Sequence, residues 1–213
     1  MLKHGANVDI GNNEGATPLI TAAQNGHVGV VDELLNHGAN VNIASKYGWT
    51  PLNAAALNDH VEIILKLLDR DAGVDIADDE GCTPLYTATT NGHLKTVREL
   101  LNHGAKLGTA NKEGFTPLYS AASNGHVEVV RELLNQGAHM DVSKESGWSL
   151  LNAAVQRGNL EVIRVLLKHA LGENISKLSV WNRVKTAAEA GDMERIQHWV
   201  NHIGSKCFVK KSP

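Results

Sequence analysis

The sequence predicts an all-α solenoid, a row of short helix pairs joined by hairpin-like loops, and three observations predict it. Thr17-Pro18-Leu19, Thr50-Pro51-Leu52, Thr83-Pro84-Leu85 and Thr116-Pro117-Leu118 recur every 33 residues, and Ser149-Leu150-Leu151 stands in the fifth place. The same interval and its multiples relate Asn25-Gly26-His27, Asn91-Gly92-His93 and Asn124-Gly125-His126, and also the run Leu34–Ala39 and the run Leu100–Ala105. Between these landmarks, two stretches with helical spacing alternate with about a dozen residues that have none. A period of this length marks stacked supersecondary units, each too small to bury its own apolar faces.

Each element of the unit has a physical reason. Thr116 can cap a helix through its hydroxyl, and Pro117 sits at the first helical position, where its missing N–H and fixed φ are tolerated. Leu118, Ala121 and Ala122 lie at i, i+3 and i+4 on one face, and the alanines let a neighbouring helix approach. Gly125 offers the left-handed conformation that ends this helix. Val127, Val129, Val130, Leu133 and Leu134 give a second helix a broad apolar girth, with Glu128, Arg131 and Glu132 turned to water, and Gly137 stops it. The Gly, Asn and Asp content of the residues that follow suits a tight turn or hairpin.

Composition narrows the function. The 213 residues carry 20 Lys+Arg against 23 Asp+Glu, a net charge of -3, which argues against a binder of nucleic-acid backbone. No apolar run approaches a membrane span, and Met1–Gly5 lacks the apolar core of a signal peptide. Cys82 and Cys207 are too few for a disulfide framework. A cytoplasmic or nuclear protein is therefore expected, binding neither membrane nor small-molecule substrate. Of the 11 histidines, His27, His60, His93 and His126 share one repeat position, and His4, His37, His103, His169 and His202 another. Neighbours in such a column sit about 10 Å apart, one helix spacing, too far for bonds of about 2 Å to one zinc ion. The rings are expected to tie loops, and no cofactor is expected. Asp78-Asp79-Glu80 has no nucleophile pattern or phosphate loop beside it and reads as a solvated turn.

The pattern Gly-x-Thr-Pro-Leu, Ala-Ala, Gly-His, Val-Val-x-x-Leu-Leu-x-x-Gly-Ala at this period resembles the ankyrin repeat. The resemblance divides the chain into a partial unit over 1–11, full units over 12–44, 45–77, 78–110, 111–143 and 144–176, and a degenerate C-terminal capping unit and tail over 177–213. Because Met1 falls where a second helix is due, the chain reads as a piece of a longer array, and the alternative function is a targeting or regulatory segment of a larger enzyme, ubiquitin-ligase adaptor or channel. Three departures carry expectations. Asp59 and Asp71 replace terminating glycines, and aspartate tolerates positive φ. Ala170 replaces another, so the loop there should be rearranged, with Gly172 as a substitute. Asn42 resembles the loop asparagine hydroxylated in some ankyrin repeats, though Asn40 stands where an acidic residue is preferred.

The resemblance implies a non-catalytic module for protein recognition, a scaffold, adaptor or inhibitor, whose hairpin and first-helix side forms the concave recognition surface. Trp49, Phe115, Trp148 and Trp181 share the position just before Thr-Pro or its equivalent, which Ala16 and Cys82 fill elsewhere. Tyr86 and Tyr119 follow the Leu of Thr-Pro-Leu, and Tyr47 is expected on a hairpin tip. Aromatics are favoured anchors because they desolvate much area at low entropic cost. The expected protein-binding residues are Lys46, Tyr47, Trp49, Asp79, Glu80, Tyr86, Lys112, Phe115, Tyr119 and Trp148. Asp75, Asp78, Asp79 and Glu80 lie near Tyr47, Trp49 and Tyr86 in this scheme and favour a partner segment with basic and apolar residues.

Overall fold

The computed structural model describes residues 7–139 and 145–171 and scattered residues between 183 and 199; for 145–149 and 170–171 it describes the backbone alone. Among the described residues there are ten helices and no strand. The chain divides into two compact units, 1–117 and 118–213. The first holds α1 (Pro18–Gln24), α2 (Val28–Asn36), α3 (Pro51–Leu57), α4 (Val61–Leu68), α5 (Pro84–Asn91) and α6 (Leu94–Asn102). Beginning at the division, α7 (Pro117–Ser123) is followed by α8 (Val127–Asn135), α9 (Glu145–Gln156) and α10 (Leu160–Leu171) in the second.

Helix starts follow the Thr-Pro pairs. The hydroxyls of Thr17, Thr50 and Thr83 each accept from the N–H three residues on, of Ile20, Asn53 and Tyr86, at 3.2 Å. Pro follows each cap in the first turn, where a missing N–H removes no helical bond. Asn53 turns the second start into a capping box, its side-chain oxygen accepting from the Thr50 N–H. Helix ends divide by residue type. Gly92 closes α5 at φ +75°, whereas Asp59 and Asp71 take φ of +56° and +60°, as the sequence predicts. Asp59 gains a use from the exchange, because its carboxylate accepts the Thr96 hydroxyl at 2.8 Å. Ala170 behaves differently: α10 continues through it to Leu171, because alanine has no preference for the left-handed turn and a strong one for helix. Gly172 lies outside the described residues.

In the first unit the helices form two rows. α1 packs on α3 and α3 on α5, while α2 packs on α4 and α4 on α6. Leu19, Leu52 and Leu85, the leucines of the Thr-Pro-Leu triplets, are fully buried with Ala23, Ala55, Ala56 and Ala88. Small alanines permit that closeness, and Val31, Ile63, Ile64, Leu67, Val97 and Leu100 fill the second row. In the second unit α10 packs on both α8 and α9, burying Val129, Val130, Leu133, Leu151, Ile163 and Leu166. Glu128 and Arg131 are exposed on α8, as the sequence predicts, and Glu132 and Val127 are half-buried.

Candidate functional site

The hairpin tips of the first unit are built on one column of short polar residues that the sequence reading passed over. The side-chain oxygens of Asn12, Ser45, Asp78 and Asn111 each accept from the N–H groups two and four residues on: Glu14 and Ala16, Tyr47 and Trp49, Glu80 and Cys82, Glu113 and Phe115, all within 2.8–3.3 Å. Each of these residues also donates its own N–H to the carbonyl four residues on, closing the tip. The residue before Thr-Pro is thereby held at a set height above its helix, whether it is Trp49, Cys82 or Phe115.

Successive tips are then joined by main chain alone. The N–H of Lys46 donates to the Glu14 carbonyl at 2.9 Å, that of Asp79 to Tyr47 at 3.0 Å, and that of Lys112 to Glu80 at 2.9 Å. The approach is close: a Cβ at Gly48, where φ is +77°, would lie 2.6 Å from the Asp79 nitrogen. Five expected binding residues, Lys46, Tyr47, Asp79, Glu80 and Lys112, therefore enter the framework through their backbones, and all five are exposed. Tyr47 is 59% exposed, one of the large apolar side chains most open to water.

Trp49, Tyr86 and Phe115 are half-buried. Tyr86 also accepts from the Asn111 amide through its hydroxyl at 3.3 Å, which couples the first-helix ring to the next tip. In the second unit Tyr119 is half-buried, and the side chain of Trp148 lies outside the described residues, as do Trp181, His4 and His202. The acidic group is smaller than the sequence suggests. Asp75 accepts from the Lys106 N–H at 3.0 Å and pairs with its ammonium at 3.5 Å, and Asp78 is committed to its turn. Asp79 and Glu80 remain as the outward charges. Burial pushes the Cys82 thiol up to about 11, with Asp78, Glu80 and Glu113 adding negative charge nearby. The thiol stays protonated near neutral pH and is a poor nucleophile.

A family model for ankyrin repeats (3 copies) matches residues 1–78, 70–144 and 107–179. This chain belongs to the ankyrin-repeat family. No curated protein matches it. Ankyrin repeats are in general modules for protein–protein interaction and are typically non-catalytic. Among the described residues of this ankyrin array, no helix is long and apolar enough to cross a membrane, and no cluster of His, Cys, Asp and Glu could hold a metal.

The two histidine columns of the ankyrin array act differently, one tying loops as expected and the other closing the end of its own helix. His60 Nε2 meets the Gln24 carbonyl at 3.1 Å and His93 Nε2 the Leu57 carbonyl at 3.0 Å, reaching back to the preceding helix pair. His37 and His103 instead turn Nδ1 to carbonyls of their own helices, Glu33 and Glu99, at 2.8 Å. A carbonyl only accepts, so each ring carries its proton on the nitrogen named. Two further residues reach back to the preceding helix pair without being histidine. Asn159, one period after His126, donates to the Ala122 and Ser123 carbonyls at 3.2 and 3.1 Å. Arg70, one period after His37, donates to the Leu35 carbonyl at 3.0 Å. Their column position was the signal that would have found them. Asn42 holds the next hairpin, accepting from the Gly73 N–H at 2.8 Å. Asn53 is fully buried and donates to the Cys82 carbonyl at 3.2 Å, joining one capping box to the following tip.

Proposed function

We propose that this ankyrin array is a non-catalytic recognition module, a scaffold, adaptor or inhibitor of the cytoplasm or nucleus, that holds a partner segment of basic and apolar residues on the hairpin tips of its first unit. Trp49, Tyr86 and Phe115 are the anchors, with exposed Tyr47 beside them, and Lys46, Asp79, Glu80 and Lys112 form the polar rim. Tyr119 and Trp148 stand in the matching sequence columns of the second unit and carry the same assignment there. One observation supports the reading above the rest. The tips are joined to one another through backbone atoms, which leaves the side chains of Lys46, Tyr47, Asp79, Glu80 and Lys112 displayed to water. A half-buried ring needs little ordering on binding, which lowers the entropic cost of using it as an anchor. Asp79 and Glu80 give the rim its preference for basic residues.

The test is selection of a displayed peptide library on the full chain, followed by affinity measurements on synthetic peptides. Enriched peptides should combine Lys or Arg with large apolar residues, and the double replacement Trp49→Ala with Phe115→Ala should weaken them about 100-fold or more, the loss of two hot spots. Because those rings are half-buried, Tyr47→Ala with Glu80→Lys serves as a second variant that leaves the packing alone. Unchanged affinity in both variants, with helical circular dichroism retained, overturns the assignment.

A further inference from the structure

A second surface, remote in sequence from the tips, lies within the second unit. Arg183, Thr186, Ala187, Ala190, Arg195 and Trp199 line a cleft of about 460 Å³. Its chemistry departs from the rest of the array. Arg195 falls one period after Val162, in a column where Ile63, Thr96, Val129 and Val162 are 0–1% exposed and only Val30, in the first full repeat, is open at 49%, and its side chain is 74% exposed. Arg183 falls in the column of the helix-opening prolines Pro18, Pro51, Pro84 and Pro117. Two positions that elsewhere serve packing or helix initiation thus carry guanidinium groups here.

The two guanidiniums flank an aromatic platform. Arg183 Cζ lies 4.5 Å from the centroid of the Trp199 ring, a cation–π contact. The His198 ring meets Trp199 edge-on at 5.3 Å and 79°. Arg195 places Nε 3.3 Å from Asp192 Oδ2, an i,i+3 pair that engages one of the five N–H donors a guanidinium carries.

We infer that this cleft binds an acidic peptide segment, with side-chain carboxylates received by Arg183 and Arg195 and an apolar side chain laid against Trp199. Charge complementarity selects the occupant: among the described residues that line the cleft the two charged side chains, Arg183 and Arg195, are both cationic, and arginine receives carboxylates in forked, charge-assisted pairs. The chain's own last residues are excluded by sign, since Lys206, Lys210 and Lys211 repeat the charge of the cleft. Shape selects a peptide over a small dicarboxylate. Arg183, Thr186, Ala190 and Arg195 are all exposed, so the cleft is shallow, whereas small-molecule sites enclose about 70–90% of their ligand. A nucleic acid is disfavoured because two guanidiniums supply few of the roughly 6–10 phosphate contacts a backbone binder uses, on a chain of net charge -3. This occupant is opposite in charge to the one proposed for the tips, so the two surfaces are separable.

Fluorescence anisotropy on the full chain tests the inference, using a labelled peptide that alternates glutamate pairs with leucine, its lysine counterpart, free glutarate as competitor and a labelled single-stranded oligonucleotide. The acidic peptide should bind, weaken with added salt, lose about tenfold or more in Arg183→Gln with Arg195→Gln, and keep its affinity in Trp49→Ala with Phe115→Ala. Arg183→Lys with Arg195→Lys should recover part of the loss, which a purely structural role for the arginines would not produce. The inference is overturned by no binding, by equal binding to the folded double glutamine variant, by glutarate competing as tightly as the peptide, or by preference for the lysine peptide or the oligonucleotide.

Discussion

Along the hairpin tips of the first unit, neighbouring helix pairs are joined main chain to main chain, Lys46 to Glu14, Asp79 to Tyr47 and Lys112 to Glu80. Along the turns between the two helices of each pair, the rear edge, they are joined side chain to main chain, His60 to Gln24 and His93 to Leu57. The two edges serve the same stacking and place opposite demands on residue type. A backbone bond is indifferent to the side chain above it, so the tip edge can change its chemistry and keep its geometry. A side-chain bond needs a donor of the right reach, which restricts the rear edge to His or Asn. Recognition belongs on the edge whose side chains are free to vary.

The sharpest way to break this comparison is to obstruct the main-chain junction itself. Gly48→Ala, at φ +77° and with its new Cβ 2.6 Å from the Asp79 nitrogen, should cost about 3 kcal/mol, strain and collision together. Gly104→Ala in the turn after α6, at φ +85° but with nothing within 4 Å, should cost only about 1 kcal/mol. Urea unfolding of the two variants measures the difference, and equal losses would mean the tips do not need their close approach. Next comes Asn53→Ala, which strips a partner from the buried Thr50 N–H and the Cys82 carbonyl at once. It should lower the unfolding free energy by about 2 kcal/mol, the cost of leaving the buried Thr50 N–H unpaired and the Cys82 carbonyl with the Asp78 N–H alone.

On the rear edge, His93→Ala removes the bond to the Leu57 carbonyl and should cost about 1 kcal/mol. His93→Asn should recover most of that in the same unfolding assay, since Asn159 makes the equivalent bond in the second unit. The smallest effect is expected on the tips. Tyr47→Ser, Glu80→Gln and Lys112→Gln combined should shift stability by less than about 0.5 kcal/mol, because exposed side chains outside the bonding framework contribute little. A thermal melt that falls well beyond that would show the tip side chains to be structural after all.

What could be read in the residues was whatever depends on residue type. Thr-Pro fixed the helix starts, buried Leu19, Leu52 and Leu85 marked the core, and Asp59 and Asp71 were recognisable as stand-ins for glycine. The junctions between tips left one trace, the glycines Gly15, Gly48 and Gly81 whose missing Cβ admits the next tip, while the residues that make the main-chain bonds carry no signature. Asn159 escaped because asparagine and histidine look unrelated until both are seen reaching a carbonyl. The charge of Asp75 and Asp78 was visible, but its use was not: only coordinates show an acceptor spent on Lys106 or on its own turn. For the candidate surface, residue identity located the rings, and exposure separated outward Tyr47 from half-buried Trp49, Tyr86 and Phe115.

The junctions between tips also have a mechanical meaning. Each is a single main-chain bond at the tips, so the tip edge of the first unit is a chain of links in series, with the bonds of Asn42 to Gly73 and Asp75 to Lys106 as a second set between the same units. A load that pulls one end of that edge falls first on the outermost link and reaches the next only after it opens, as in peeling tape rather than tearing a sheet. Such an edge yields at low force and in small steps, and it can flex to follow a partner's contour while the buried leucines behind it hold their places.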